Sequence, residues 1–458
     1  MRLSIHQLSE QIRRSTISPV ELTRDCLARI EKLNPSLNAF ITVTAESALA
    51  DASRAEEEIQ RRDYRGPLHG IPIGLKDIID TAGVRTTAAS AQYKDRVPAE
   101  DAGVARRLRD AGAVILGKQN MHEFAYGGSS VISCYGAVHN PWDTSRIAGG
   151  SSGGSAASVA AGLGYAAIGT DTGGSVREPA SYCGCVGLKP TFGRVSTRGV
   201  VSLSWSHDHV GPLTNSVRDA ALVLQAIAGY DNGDPVSVEF PVFDYTAKIA
   251  NLPSHVTIGV PHNFFFDDLH PEVSRAIEAA VQVFTGLHAE VRDLQLDAPD
   301  DRSLLMAEAY AFHESMAQKS PELYQPATLA RIQGGASISA AAALRARRNL
   351  DEVRRSIRTI FETVDILLTP TSPVPPPKIA DLEAHPGMLR ATEVVLLRNT
   401  RPFNIWGIPT ISIPCGFTSD GVPIGLQLAT APWREEFLLQ VAHAYEQATD
   451  WHTKAPAL

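Results

Sequence analysis

The chain has 458 residues, 44% of them hydrophobic, and a formal net charge of −8, so it can bury a large core and lacks the basic excess that a nucleic-acid surface needs. Its lysines and arginines are scattered, which also argues against binding to an anionic membrane. Five cysteines (Cys26, Cys134, Cys183, Cys185 and Cys415) cannot all pair with one another, and their scarcity fits a reducing compartment.

In chain order, Met1-Arg2-Leu3-Ser4-Ile5-His6-Gln7 lacks the apolar core of a signal peptide, which makes the cytoplasm the expected location. Leu8 and Ile12, then Leu22, Cys26, Leu27 and Ile30, recur at helical spacing. Ser18-Pro19 supplies an N-cap and a favoured first-turn proline. Asn34-Pro35 breaks the pattern, and a third helix fits Ala45 to Arg62. Leu68 to Leu75 reads as a buried strand with Lys76-Asp77 at its end. A lysine beside such an apolar run is desolvated, which favours its neutral form and suits it to accept a proton. Asp101 to Asp110 reads as an amphipathic helix and Ala113 to Gly117 as the next strand. His122 and Glu123 suit packing at a helix start better than acid/base work.

The stretch Gly149 to Ser175 organises the rest. Two Ser/Gly-dense turns, Gly149 to Ser155 and Thr170 to Ser175, bracket a small-residue run. Ala156 to Ala161 suits a helix ended by Gly162-Leu163-Gly164, and Tyr165 to Gly169 a short buried strand. Glycine lets successive N–H groups converge on one anion, so Thr172, Gly173, Gly174 and Ser175 form a candidate oxyanion hole with Ser175 as nucleophile. Each such donor is typically worth ~2.7–4 kcal/mol to a transition state. Gly150-Ser-Ser152-Gly-Gly154 also satisfies G-x-S-x-G, which would make Ser152 the nucleophile of an elbow, but that reading leaves Lys76 and Asp171 to Ser175 without a role. A phosphate-binding loop is excluded because Ser155-Ala156 stands where Lys-Ser/Thr is needed.

Beyond the turns, Cys183-Gly-Cys185 has no second pair at zinc spacing, so no metal is expected. The run Ala156 to Gly169 is shorter than the ~20 residues of a membrane helix. His207-Asp208-His209 reads as a polar turn before Gly211-Pro212, and Asp231 to Pro253 as a polar connection. Thr257 to Val260 suits a strand, Pro271 to Leu287 a helix, and 303–362 mostly helix. Pro373 to Pro377 suits an extended loop, and Gly387 to Thr400 a mobile cover. Arg401 to Leu428 is sheet-like and Glu435 to Thr449 a closing helix; there is no internal repeat.

Gly70-Ile71-Pro72-Ile73-Gly74-Leu75-Lys76-Asp77, Gly149 to Ser155, Asp171-Thr172-Gly173-Gly174-Ser175-Val176-Arg177 and Cys183 to Pro190 together resemble the amidase signature family. The dense match runs from about Gly66 to Gly211 and returns at Leu368 to Pro370 and Arg401 to Leu428. The resemblance implies a single α/β domain, a large central mixed sheet covered by helices on both faces. Residues 1–65 would be N-terminal helices, 66–230 the catalytic core, 231–400 a variable substrate-pocket region and 401–458 a return to the core. It implies a triad of Lys76, Ser151 and Ser175, a cis Gly150-Ser151 peptide, and an acyl-enzyme formed on Ser175. Ser152, Ser155, Asp171 and Arg177 would hold the network, and Phe124, Ala125, Tyr126 and Gly127 would lie beside the substrate. It implies no cofactor, a small-molecule amide or carbamate as substrate, and leaves a homodimer open. Tyr324 to Gly335 lacks the tyrosine- and glycine-rich stretch of the glutamine-hydrolysing component of tRNA-dependent amidotransferases, and Arg398 to Phe403 looks like stand-alone amidases; a stand-alone enzyme is the expectation, the amidotransferase component the alternative.

Overall fold

Short apolar runs spread along the whole chain pair into one mixed sheet. The computed structural model describes residues 3–458; Met1 and Arg2, which open the stretch read for a leader, lie outside the described residues. The strands are β1 (Phe40–Val43), β2 (Pro72–Lys76), β3 (Val114–Gln119), β4 (Ala166–Asp171), β5 (Val186–Lys189), β6 (His209–Thr214), β7 (Thr257–Pro261), β8 (Glu290–Leu294), β9 (Ile366–Pro370), β10 (Thr410–Phe417) and β11 (Pro423–Ala429). Their spatial order is β1-β3-β2-β4-β6-β5-β10-β11-β9-β7-β8. The α/β architecture with a large mixed sheet is therefore as expected.

The part of the sheet that matters for chemistry is the parallel trio β3-β2-β4. Every residue of these strands is buried, because helices cover both faces. Helix Ala45–Gln60 packs on β3, and helix Gly153–Ala160 packs on β2 and β4. Ile73, Leu75, Val114, Leu116 and Ile168 are fully buried. Side chains at the carboxyl ends of parallel strands converge on a crevice; β2 ends on Lys76 and β4 on Asp171.

Three local expectations are corrected. Asn34-Pro35 does not break the second helix, which runs Pro19–Leu37. Pro35 falls in the last turn, where buried Leu33 and Leu37 hold the helix, and the stop comes at Asn38 in the left-handed conformation. Asn34 acts after the helix instead, its side chain bonding Phe40 N at 2.7 Å and Phe40 O at 3.0 Å. His209 does not belong to a turn; it opens β6, whose full-length antiparallel pairing with β4 overrides the local turn chemistry of Gly211-Pro212. The return to sheet at Arg401 begins with a short helix, Arg401–Ile405, before β10. Gly387 to Thr400 contains a helix, Leu389–Leu396, that buries Leu389, Glu393 and Leu396. Among the described residues no helix is long and apolar enough to cross a membrane.

Candidate active site

Lys76 is fully buried, delivered by β2 to the edge of the Gly149 to Ser155 loop. Its Nζ donates to Ser151 Oγ at 2.7 Å and to Thr170 Oγ1 at 2.8 Å. Burial drives its pKa down to about 7, although the carboxylates of Asp171 and Asp208 oppose the shift. A substantial neutral fraction at neutral pH can therefore take a proton from the Ser151 hydroxyl.

Ser151 follows a cis peptide from Gly150. Gly150 N–H donates to Glu178 Oε2 at 2.8 Å, and Ser151 O accepts from His122 N at 3.1 Å. The two Ser/Gly turns meet where Ser152 N–H donates to Ser175 O at 3.2 Å. The Ser152 hydroxyl is committed to the β4 backbone, donating to Thr170 O at 3.2 Å and accepting from Thr170 N at 3.3 Å. That commitment argues against the elbow reading, in which it would have to be free to attack. Ser155 Oγ donates to Gln119 Oε1 at 2.8 Å and ties the start of helix Gly153–Ala160 to β3.

Asp171 and Arg177, both fully buried, shape the second turn. Arg177 grips the carboxylate with Nε on Oδ2 at 3.0 Å and Nη2 on Oδ1 at 2.9 Å. Burial alone would raise the Asp171 pKa, but Arg177, with Lys189 and Asn404, holds it well below the usual carboxylate range. Asp171 also accepts Gly174 N–H at 2.8 Å and Val176 N–H at 3.1 Å. Of the four amides expected to form the oxyanion hole, that of Gly174 is thus engaged by Asp171. Among the described residues the amides of Thr172, Gly173 and Ser175 have no acceptor. Gly174 has another reason to be glycine: its φ is +132°, and a Cβ there would collide with Thr400 Oγ1. Thr400 Oγ1 in turn donates to Gly173 O at 2.7 Å. Ser175, 4% exposed, closes the turn.

The predicted substrate loop lies against this centre, since His122 N reaches Ser151 O. Phe124 and Ala125 adopt positive φ, 49° and 59°. The Phe124 ring packs on His313 at 4.4 Å and on Tyr324 at 5.5 Å, so it anchors the loop to helix Ser303–Lys319. Gly127 admits the His122 ring and Arg331, which a Cβ would strike. Arg331 bonds Tyr126 O and pairs with Glu393 at 2.8 Å. Glu123 accepts Gln325 N–H at 3.0 Å, the packing role expected of it. Among the described residues no three His, Cys, Asp or Glu side chains are arranged to hold a metal ion.

Sequence reasoning missed Thr170, Glu178, Asp208, Glu393, Asn404 and Gln427. Asp208 Oδ1 accepts Thr172 Oγ1 at 2.6 Å, so the polar 207–209 stretch touches the oxyanion turn. Asn404 Nδ2 donates to Asp171 Oδ1 at 2.8 Å, and Gln427 Oε1 accepts Arg177 Nη1 at 2.8 Å. The last two lie more than two hundred residues from their partners, and only the sheet order brings them in.

A buried lysine bonded to Ser151, a second serine on a glycine-rich turn and a cluster of free backbone amides lie together at the ends of β2 and β4. The chain belongs to the amidase family, which it matches over residues 21–439, and it is an enzyme that hydrolyses amides. A glutamyl-tRNA(Gln) amidotransferase component from Geobacter metallireducens is 41% identical, covering 99% of this chain and 98% of the relative. Among solved structures, 6-aminohexanoate cyclic dimer hydrolase superposes with a TM-score of 0.90 at 31% identity over 99% of this chain and 98% of the other. A chain from a vestigial protein complex that reveals the origins of an s-triazine catabolic enzyme gives 0.89 at 34% identity, over 97% and 98%.

Proposed function

We propose that this chain cleaves small or aryl amides through an acyl-enzyme on Ser175, with Ser151 and Lys76 as the proton relay. Ser175 Oγ attacks the carbonyl carbon while Ser151 takes its proton and passes its own to Lys76. The carbonyl oxygen becomes an oxyanion facing the amides of Thr172, Gly173 and Ser175. The proton on Lys76 returns through Ser151 to the leaving nitrogen, the C–N bond breaks, and water then releases the acyl group. The observation that carries this reading is the buried Lys76 bonded to Ser151 with its pKa lowered to about 7. Carbamates present the same carbonyl and nitrogen leaving group, so they fall within the same chemistry.

The second reading is the glutamine-hydrolysing component of a tRNA-dependent amidotransferase, acting with a protein partner. It is favoured by the name carried by the Geobacter relative over its full length. One experiment separates them: fluorophosphonate labelling, then turnover of p-nitroanilides, matched carbamates and glutamine by the purified chain. We expect labelling on Ser175, its loss in Ser175→Ala, and anilide turnover without a partner. An adduct mapped to Ser152 would overturn the nucleophile assignment; glutamine cleavage alone, seen only with a protein partner, would favour the second reading.

A further inference from the structure

Two guanidinium groups contact Tyr126, Arg331 through the Tyr126 carbonyl and Arg390 over the ring. The Tyr126 ring lies in the field of Arg390, Arg331 and Arg302, and Arg302 also acts on Arg401. Two of the four arginines are neutralised: Arg331 pairs with buried Glu393 at 2.8 Å, and Arg401 pairs with Asp300. The other oxygen of Glu393 accepts Ser129 Oγ at 2.6 Å and lies 3.5 Å from His122 Nδ1. Arg390 and Arg302, both half-buried, form no ion pair within 4 Å and donate no side-chain hydrogen bond among the described residues, although Glu393 lies in the field of Arg390. Arg390 instead lies over the Tyr126 ring, 5.5 Å from its centroid.

A partly desolvated guanidinium without an acceptor is unfavourable, and a planar carboxylate that it can bind in bidentate fashion relieves it. The place of this cation relative to the chemistry is fixed by helix Leu389–Leu396. Arg390 lies in its first turn. Leu397, just past its end, abuts Gly128 and Gly174, and Thr400 bonds Gly173 of the oxyanion turn. Seven residues at 1.5 Å per residue put roughly 10 Å between the two ends. His122 links them electrostatically, since both Arg390 and Lys76 act on its ring.

We propose that Arg390 is an anion site that selects amides whose acyl group ends in a carboxylate, held a few methylenes from the scissile carbonyl. The proposal rests on the amide-cleaving centre at Ser175 and adds the substrate's second anchor. Arg331 serves as the strut that holds Tyr126 and helix Leu389–Leu396 in place, and Arg390 takes the ligand.

The test compares adipoyl-p-nitroanilide with the uncharged hexanoyl-p-nitroanilide on the wild-type chain, Arg390→Gln and Arg390→Lys, with thermal unfolding of each. Wild type should favour the carboxylated substrate in kcat/KM by at least 10-fold, mainly through KM. Arg390→Gln should lower kcat/KM for it at least 10-fold more than for the hexanoyl substrate, and Arg390→Lys should restore part of the difference. Calorimetric binding of adipamic acid and of adipamide to Ser175→Ala reads the site without turnover. Adipamic acid should bind more tightly, and the advantage should vanish in Ser175→Ala/Arg390→Gln. Equal handling of charged and uncharged substrates by wild type, or a preference that survives Arg390→Gln, overturns the anion site while leaving amide cleavage standing. Arg390-dependent binding of adipamic acid without cleavage of any anilide overturns the proposed reaction and leaves the site.

Discussion

At Lys76 the chemistry reduces to one proton. In the proposed relay the lysine works only when neutral, and burial brings its pKa to about 7, below the ordinary lysine value. Below that pH the ammonium cannot accept the Ser151 proton; above it the base is free. We therefore expect kcat/KM for a neutral anilide to rise with pH through an inflection near 7 and to stay low in acid. Lys76→Ala should lose roughly 10²–10⁴-fold of activity, the usual contribution of a general base, and the residual rate should no longer show that inflection. A pH profile unchanged by the substitution would exclude Lys76 as the base. The residue was legible only together with the serines downstream, because an apolar run ending in Lys-Asp equally suits an exposed lysine at a strand end. Its second partner, Thr170, was not. That contact depends on β2 and β4 lying side by side, with Leu75 opposite Ile168, and no local spacing announces such a register. Gly174 shows the converse: its glycine marked the turn correctly, but only the structure reveals that Asp171 takes its N–H.

At the scale of the element, the turn Thr172 to Ser175 is held between β4 and helix Arg177–Cys183 by the ion pair that joins their ends. Both partners are fully buried, and every polar atom of the Arg177 guanidinium has an acceptor: Asp171, Thr400 O, Gln427 and Asn404. Removing one partner leaves the other as an unpaired buried charge, which typically costs ~3–5 kcal/mol. Arg177→Leu should therefore lower the urea-unfolding free energy by about that amount and abolish Ser175 labelling. Arg347→Leu, which breaks the exposed pair to Asp351 on helix Ala340–Ser356, should cost under about 1 kcal/mol. Equal effects of the two substitutions would mean that the buried pair does not hold the turn. Element boundaries were read well where one periodic pattern dominates, as for Ala45–Gln60 and Pro271–Gly286. They were misread at Pro35 and at His209 to Pro212. In each case packing overrode a local breaker: Leu33 and Leu37 at the helix end, and the ladder of β6 with β4 in the sheet.

Over the whole molecule, sequence order and spatial order diverge most at the C-terminus. β10 and β11 come last in the chain but sit between β5 and β9. They join the half of the sheet that carries Lys76 to the half built from β7, β8 and β9. β10 pairs with β5 through Thr410 to Ser412, and β11 with β9 through Leu426 to Ala429. The same segment reaches the ion pair that holds the Thr172 to Ser175 turn through Asn404 and Gln427. Nothing in the local sequence of 401–429 orders these strands in the sheet, so this was the least legible part of the fold. Without that segment, β5 and β9 would each expose an unpaired edge, and the buried Arg177 would lose two acceptors. A chain ending at Thr400 should therefore fail to form the catalytic turn even though Lys76, Ser151 and Ser175 are all present. We expect no cooperative urea transition and no fluorophosphonate adduct on Ser175 in that truncation. Adding the 401–458 peptide in trans should restore labelling only if the two pieces assemble into one sheet. A truncated chain that unfolds cooperatively and labels at the full-length rate would show that β1 to β9 form the Thr172 to Ser175 turn unaided.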